Sequence, residues 1–373
     1  MTALAASTRR SGTWMVVAGS YLGYLLFVLF ATALSLRGLA FGLPTLFVIG
    51  LVPAFDLLCG ENRKQFSSTD FSKPQRGLLR AAPIGFIAGN AVVIWTAIAI
   101  FGQLTKLEQC LAVLSVGMIS SVGIAAAHEL IHKRGALQKY PGRLGLLNVC
   151  YLHFEINHIE SHHVWMATDR DESTARLGES VYQFVARTVP GCWRLSWHLE
   201  LRRMRHRKRH SLSPSNRMLQ YVAAELAYVA LLFYLWGMPA LILFLCQAMV
   251  AVFMLEAVAY IEHYGLHRAR LSNGRYGPMT AEHSWDSYRR FSNYMEFHLQ
   301  RHADHHASPV RAHENLRTSG GALQLPAGYS VMISLAMIPP LWKAVMHQRL
   351  ASAGRVATGS IAARSDGEAG RRS

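Results

Sequence analysis

Residues 14–36 read WMVVAGSYLGYLLFVLFATALSL, 23 positions without a charged side chain. A helix needs about 20 mostly apolar residues to cross the roughly 30 Å hydrocarbon core of a bilayer. A helix that is apolar on every side is either the centre of a large protein or a membrane span, and a run this long without a charge favours the span. Five further apolar runs follow, so that six spans are predicted at about 13–35, 41–58, 79–102, 107–127, 219–236 and 238–261. Composition agrees, with 51% hydrophobic and only 16% charged residues, against about 25% charged in an ordinary soluble domain. The expected fold is an all-α integral membrane protein of about six transmembrane helices with a cytoplasmic, histidine-rich cap.

Charge sets the orientation, because cytoplasmic loops carry the excess of Lys and Arg. With the N terminus inside, the outer loops are 37–40, 103–106 and the turn Trp236-Gly237-Met238. Of 38 Lys and Arg residues they hold only Arg37 and Lys106. Arg9, Arg10, the loop 60–77 and the segment after His128 carry much of the remainder on the inner side. The formal charge of +16 is thus mainly a topology signal that also suits anionic lipid. It is a poor match to nucleic acid, since the basic residues flank spans. The expected location is a bacterial-type inner membrane with both termini cytoplasmic. The first run is too long for a cleaved signal peptide and reads as a signal anchor. The five cysteines make no Cys-x-x-Cys pair, which argues against a fused rubredoxin or ferredoxin domain. A single domain is expected over 1–347, its cap built from 128–218 and 262–347. Residues 348–373 are expected to be a disordered tail. The apolar stretch 329–346, broken by Pro339-Pro340, is expected to lie at the membrane interface.

All 18 histidines lie after residue 127, and nine form tight groups. These are His128-Glu129-Leu130-Ile131-His132, His158 with His162-His163, Glu262-His263, and His302 with His305-His306. Residues three or four apart share one side of a helix, and neutral imidazole is the commonest metal ligand. Nine exceeds the four ligands usual for one zinc, so the pattern suits two ions with four or five nitrogens each. The first group alone also matches the zinc metalloprotease signature His-Glu-x-x-His, with Glu129 as base and Glu256 as a possible further ligand. The other groups count against that protease reading. His153, His267, His283 and His298 are expected beside the ligands, and His198, His206, His210, His313 and His347 in solvent. Glu129, Glu262 and Asp304 are expected to orient imidazoles. Glu256 lies seven residues before His263, on the same side of a helix, with Asn90 as its expected partner. No acyl-transfer nucleophile or phosphate-cradling Gly loop is evident. Imidazole suits several metals, but iron with O₂ attacks C–H bonds that side chains alone cannot.

These residues resemble the membrane-bound alkane hydroxylases (alkane 1-monooxygenases) of the histidine-box family of membrane desaturases and hydroxylases, over roughly residues 50–345. His128 to Lys133 is similar to the family's first box, His158 with His162-His163 to the second, and Leu299-Gln300-Arg301-His302-Ala303-Asp304-His305-His306 to the third. Tyr260-Ile261-Glu262-His263-Tyr264-Gly265-Leu266 resembles a segment that desaturases do not share. Asp56 with Gly60-Glu61, Arg176-Leu177-Gly178-Glu179-Ser180 and His283-Ser284-Trp285 are weaker echoes. Asn157, Ser161, Ala259 and Ala303 depart from the family's pattern without removing a ligand. The resemblance implies two non-haem Fe ions ligated by His128, His132, His158, His162, His163, His263, His302, His305 and His306. It further implies terminal hydroxylation of alkanes or similar alkyl chains with O₂, and electrons from rubredoxin and rubredoxin reductase. A fatty-acid or lipid desaturase or hydroxylase of the same superfamily is the nearest alternative. A non-enzymatic metal carrier is more distant, because its ligands should line a path across the membrane. The basic stretch 202–210 reads either as a solvated segment at anionic lipid or as a dock for an acidic electron carrier.

Overall fold

The computed structural model of the chain describes residues 3–355, with side chains from Ser11 onward. Helix dominates. The only sheet among the described residues is a parallel pair, Trp285–Asp286 beside Leu323–Gln324. Five helices are long and apolar enough to cross a membrane: Ser11–Leu36, Gly38–Cys59, Lys73–Phe101, Lys106–Ile131 and Arg217–His263.

The last of these has 47 residues, which at 1.5 Å per residue would make a straight rod of about 70 Å, more than twice the bilayer core. It is not straight. Gly237 takes φ 68° and ψ −155°, a conformation open essentially to glycine alone. Pro239 then stands in the first turn of the second arm, where its missing N–H costs nothing. The rings of Tyr228 and Phe244 touch, with centroids 5.3 Å apart; on a straight helix that separation would be about 24 Å. The helix is therefore a hairpin whose arms correspond to the fifth and sixth expected spans, so the five helices supply six crossings.

The fourth span is the most enclosed, with 72% of its apolar stretch buried. Thr105 starts it through a capping box with Glu108, which satisfies N–H groups left open at a helix start. Halfway along, a Cβ on Gly117 would come within 2.5 Å of Val250. Glycine there lets the second hairpin arm press directly on the fourth span. The contact matters because His128 lies in the last turn of one helix and His263 is the last residue of the other.

The cap fills the ends of these helices. Its long helix Val181–His206 is tied to the start of the hairpin by Glu200, which is buried between Arg203 and Arg217. The stretch 329–346 is broken as expected, into helices Tyr329–Ala336 and Pro339–Ser352. The second helix overruns the expected domain boundary at 347, because Met346 and Leu350, one turn apart, are both fully buried. Of the expected tail 348–373, residues 356–373 lie outside the described residues.

A Cβ at Gly237 would meet nothing closer than Pro239 Cδ at 3.9 Å, so Gly237→Ala adds backbone strain without a clash. The variant is expected to lose about 1–3 kcal/mol of stability, read as a lower thermal midpoint in detergent. An unchanged midpoint would contradict the hairpin turn described here.

Candidate metal centre

The nine grouped histidines converge from four separate segments and divide into two nests. His128, His132, His158, His163 and His305 form one, and His162, His263, His302 and His306 the other. Within each nest the ligand-type nitrogens lie within 4.8 Å of one another. The nests adjoin, since the rings of His163 and His306 are 4.4 Å apart.

A local feature of the backbone makes this division. Residues His158–His162 form a π-turn, a geometry frequent at functional sites. The His163 N–H bonds back to the His158 carbonyl five residues earlier. His158 and His163 therefore enter one nest while His162 is turned to the other. In the short helix His302–Ala307, His302 and His306 enter the second nest and His305 the first. Asp286 fixes the start of that helix by accepting the Ala303 N–H at 2.8 Å.

The nitrogens face one another closely. His158 Nε2 lies 2.7 Å from His128 Nε2 and 3.0 Å from His163 Nε2. His163 Nε2 is also 3.1 Å from His305 Nε2. In the second nest His302 Nε2 lies 3.1 Å from His263 Nε2 and 2.9 Å from His306 Nε2. One Nε2 either donates a single proton or offers a single lone pair, so protons alone cannot satisfy each of these double contacts. A cation can. Two nitrogens about 2.1 Å from a shared ion and at right angles are about 3.0 Å apart. His132 Nε2 is buried with no hydrogen-bond partner, as fits a nitrogen aimed at an ion. Burial, followed by the neighbouring imidazoles, pushes His158, His302, His305 and His306 well below the usual histidine range. They are held neutral, the form that binds metal.

Other groups stand behind some of the rings. His162 Nδ1 lies 2.9 Å from Asp171 Oδ2, and Thr174 Oγ1 and the Ser173 N–H donate to the same carboxylate. Burial alone would raise the Asp171 pKa, but His162 and these hydrogen bonds outweigh it and hold the carboxyl below its usual range. Glu262 stands 3.2 Å from His302 Nδ1 and accepts from Tyr329 at 2.7 Å. The His283 carbonyl backs His263 at 3.4 Å.

Several sequence expectations are corrected. Glu129 and Asp304 do not orient ligand imidazoles. Glu129 pairs with Lys133 and accepts the His313 N–H, while Asp304 accepts the Arg317 N–H and sits 3.4 Å from Arg311. Both brace the loop over the nests. His313 is accordingly buried rather than solvated, and His347 bonds to the Tyr264 hydroxyl. His267 is exposed, too far into solvent to support a ligand. His153 is buried against Tyr151 and Trp193, and His298 against Tyr294 and His313, while His198, His206 and His210 are exposed as expected. Asp171 was not singled out from sequence. It follows the second group within Asp169-Arg170-Asp171-Glu172, where nothing marks one acid over another.

A cavity opens against both nests. It is lined by His128, His158, His162 and His302, by apolar residues including Val122, Ala125, Met254 and Ile333, and by Glu256. Glu256 thus faces the site as its spacing from His263 suggests. Its partner is Tyr151, not Asn90, which instead accepts a hydrogen bond from Ser120.

The chain matches the fatty acid desaturase family over residues 108–322, a stretch that contains all nine histidines. It is 37% identical to alkane 1-monooxygenase 1 of Pseudomonas aeruginosa over 81% of each chain. It is 32% identical to alkane 1-monooxygenase of Pseudomonas putida over 84% of this chain and 79% of that one. The chain belongs to the alkane 1-monooxygenases of the fatty acid desaturase family. A more distant relative is the xylene/toluene monooxygenase hydroxylase component of Pseudomonas putida, 28% identical over 63% of this chain and 62% of that one. Family and geometry together remove the protease reading. In this alkane 1-monooxygenase relative, His128 and His132 share a nest with three other histidines, and Glu129 is engaged by Lys133 and the His313 loop rather than placed as a base.

Removing the carboxylate behind a metal-binding histidine typically costs 10–100-fold in metal affinity. Asp171→Asn is expected to weaken metal binding by about that factor, whereas Asp304→Asn should change it far less. Metal titration of the two purified variants checks this. Equal losses would contradict the roles assigned to Asp171 and Asp304.

Proposed function

We propose that this protein is a membrane non-haem di-iron monooxygenase that hydroxylates the terminal carbon of alkanes or similar alkyl chains. The observation that carries the reading is the five-plus-four division of nine imidazoles beside a largely apolar cavity. One iron would be held by His128, His132, His158, His163 and His305, the other by His162, His263, His302 and His306. Bound iron supplies the O₂ chemistry that side chains lack.

The chain's own residues supply placement and exclusion. Val122, Ala125, Met254, Val258 and Ile333 give the cavity apolar walls that hold an alkyl chain with one end at the nests. Such positioning removes much of the entropic cost of reaction. Asp171 keeps His162 oriented, and Glu262 lies beside His302. In the overall change a C–H bond becomes C–OH, the second oxygen atom leaves as water, and an external donor supplies two electrons with two protons.

Rubredoxin and rubredoxin reductase are the proposed donors. Arg202, Arg205, Arg207, Lys208 and Arg209 are exposed on the cap, and such a basic patch steers an acidic carrier toward it. Arg203 is not free to join them, since it is paired with Glu200 and donates to the Ser215 carbonyl. The excess of Lys and Arg on the cap side supports a cytoplasmic orientation in a bacterial inner membrane.

Membranes containing the protein, given alkanes with rubredoxin, its reductase and NADH, are expected to yield primary alcohols by gas chromatography. His162→Ala and His305→Ala, one from each nest, should each abolish the product and lower bound iron. Unsaturated acyl chains without any alcohol would instead establish a desaturase.

A further inference from the structure

Glu256 is the feature that hydroxylation of a plain alkane does not use. It lies in the second arm of the hairpin, is only 3% exposed and lines the cavity. Carboxylates within membrane spans are rare and commonly mark a functional site. The Tyr151 hydroxyl donates to its Oε1 at 2.8 Å. Among the described residues Glu256 makes no other hydrogen bond, so Oε2 is free to bond a group in the cavity that the residue lines. Glu262 and Glu296 also line the cavity, each with one oxygen engaged, Glu262 by Tyr329 and Glu296 by Gln300; Glu256 differs in being set back from the nests along the second arm. Glu256 stands two turns before His263 on the same helix face, about 10 Å along the axis. The cavity thus has a polar point at a fixed distance from the nests.

We infer that Glu256, positioned by Tyr151, is a specificity-determining residue that accepts a hydrogen bond from a hydroxyl group on the substrate. The cavity then takes an alkyl chain bearing a hydroxyl at one end and presents its other end to the histidines. The inference rests on the monooxygenase reading above and names its substrate class. A fatty acid fits less well: no Lys or Arg lines the cavity, so nothing there would compensate the buried charge of its carboxylate. An ammonium head would have to shed a costly hydration shell on entering from lipid, which a hydroxyl largely avoids. The reaction converts the far C–H to C–OH, giving a diol. The second oxygen atom leaves as water, with the same two electrons and two protons drawn from the reductant.

The test is a competition between an alkane and a deuterium-labelled primary alkanol of equal length, offered together to the iron-loaded full-length protein with its electron donors. The label separates diol made from the added alkanol from diol made by two successive oxidations. Wild type is expected to favour the alkanol. Glu256→Leu should lower the alkanol-to-alkane product ratio by up to about tenfold, the scale of one lost hydrogen bond. Glu256→Gln, which keeps an acceptor oxygen, should retain more of the preference. A merely structural role for Glu256 would lower both products together and leave the ratio fixed, and that result would overturn the inference. Should the Leu variant fail to load iron, the Gln variant and a wild-type comparison of the alkanol with its methyl ether decide. Equal use of alkanol and ether overturns the inference. Oxidation of neither alkane nor alkanol by iron-loaded wild type would overturn the monooxygenase reading itself.

Discussion

Nine imidazoles gathered in two nests, seven of them meeting nitrogen to nitrogen at about 3 Å, form the constraint on which the rest of the structure depends. Such an arrangement cannot carry charge on every ring, because adjacent imidazolium groups in a desolvated interior repel strongly. It also cannot be satisfied by hydrogen bonds, because each Nε2 has one proton or one lone pair to give. It is stable around cations. The chain meets this demand by burial that holds His158, His302, His305 and His306 neutral, by drawing the histidines from four segments, and by placing Asp171 and Glu262 behind two of the rings.

The surrounding fold follows from the need to bring those segments together. The fourth span and the second arm of the Gly237 hairpin run close because Gly117 leaves room for Val250. Their ends deliver His128 and His263. The π-turn at His158–His162 distributes one short segment between both nests. Glu129 and Asp304, although adjacent in sequence to ligand-type histidines, secure the covering loop that contains His313. The cavity between spans then gives an alkyl chain access to the same two nests from the apolar side.

Much of this was legible in the sequence, and the boundary of legibility has physical causes. The six spans could be read because bilayer thickness fixes their length and composition, even though the last two merge into one 47-residue helix interrupted at Gly237. The nine histidines could be read because their spacing is dense and repeated. Their division could not, since α-helical spacing pairs His158 with His162 whereas the π-turn pairs it with His163. Which carboxylate supports which ring was equally hidden. Glu129 and Asp304 stand next to ligand-type histidines and point elsewhere, while Asp171, nine residues beyond His162, folds back onto it. The same holds for Glu256: its direction could be inferred from its distance to His263, but its partner Tyr151 comes from a loop more than 100 residues away.

The central claim is that the two nests hold two iron ions in one chain. Iron quantification on the purified full-length protein, combined with X-ray absorption at the iron edge, tests it most directly. The account predicts about two irons per chain, each surrounded mainly by nitrogen at about 2.1 Å, in keeping with four or five imidazoles. A stoichiometry of one iron per chain in fully active protein, or a sulfur-rich coordination shell, would contradict it.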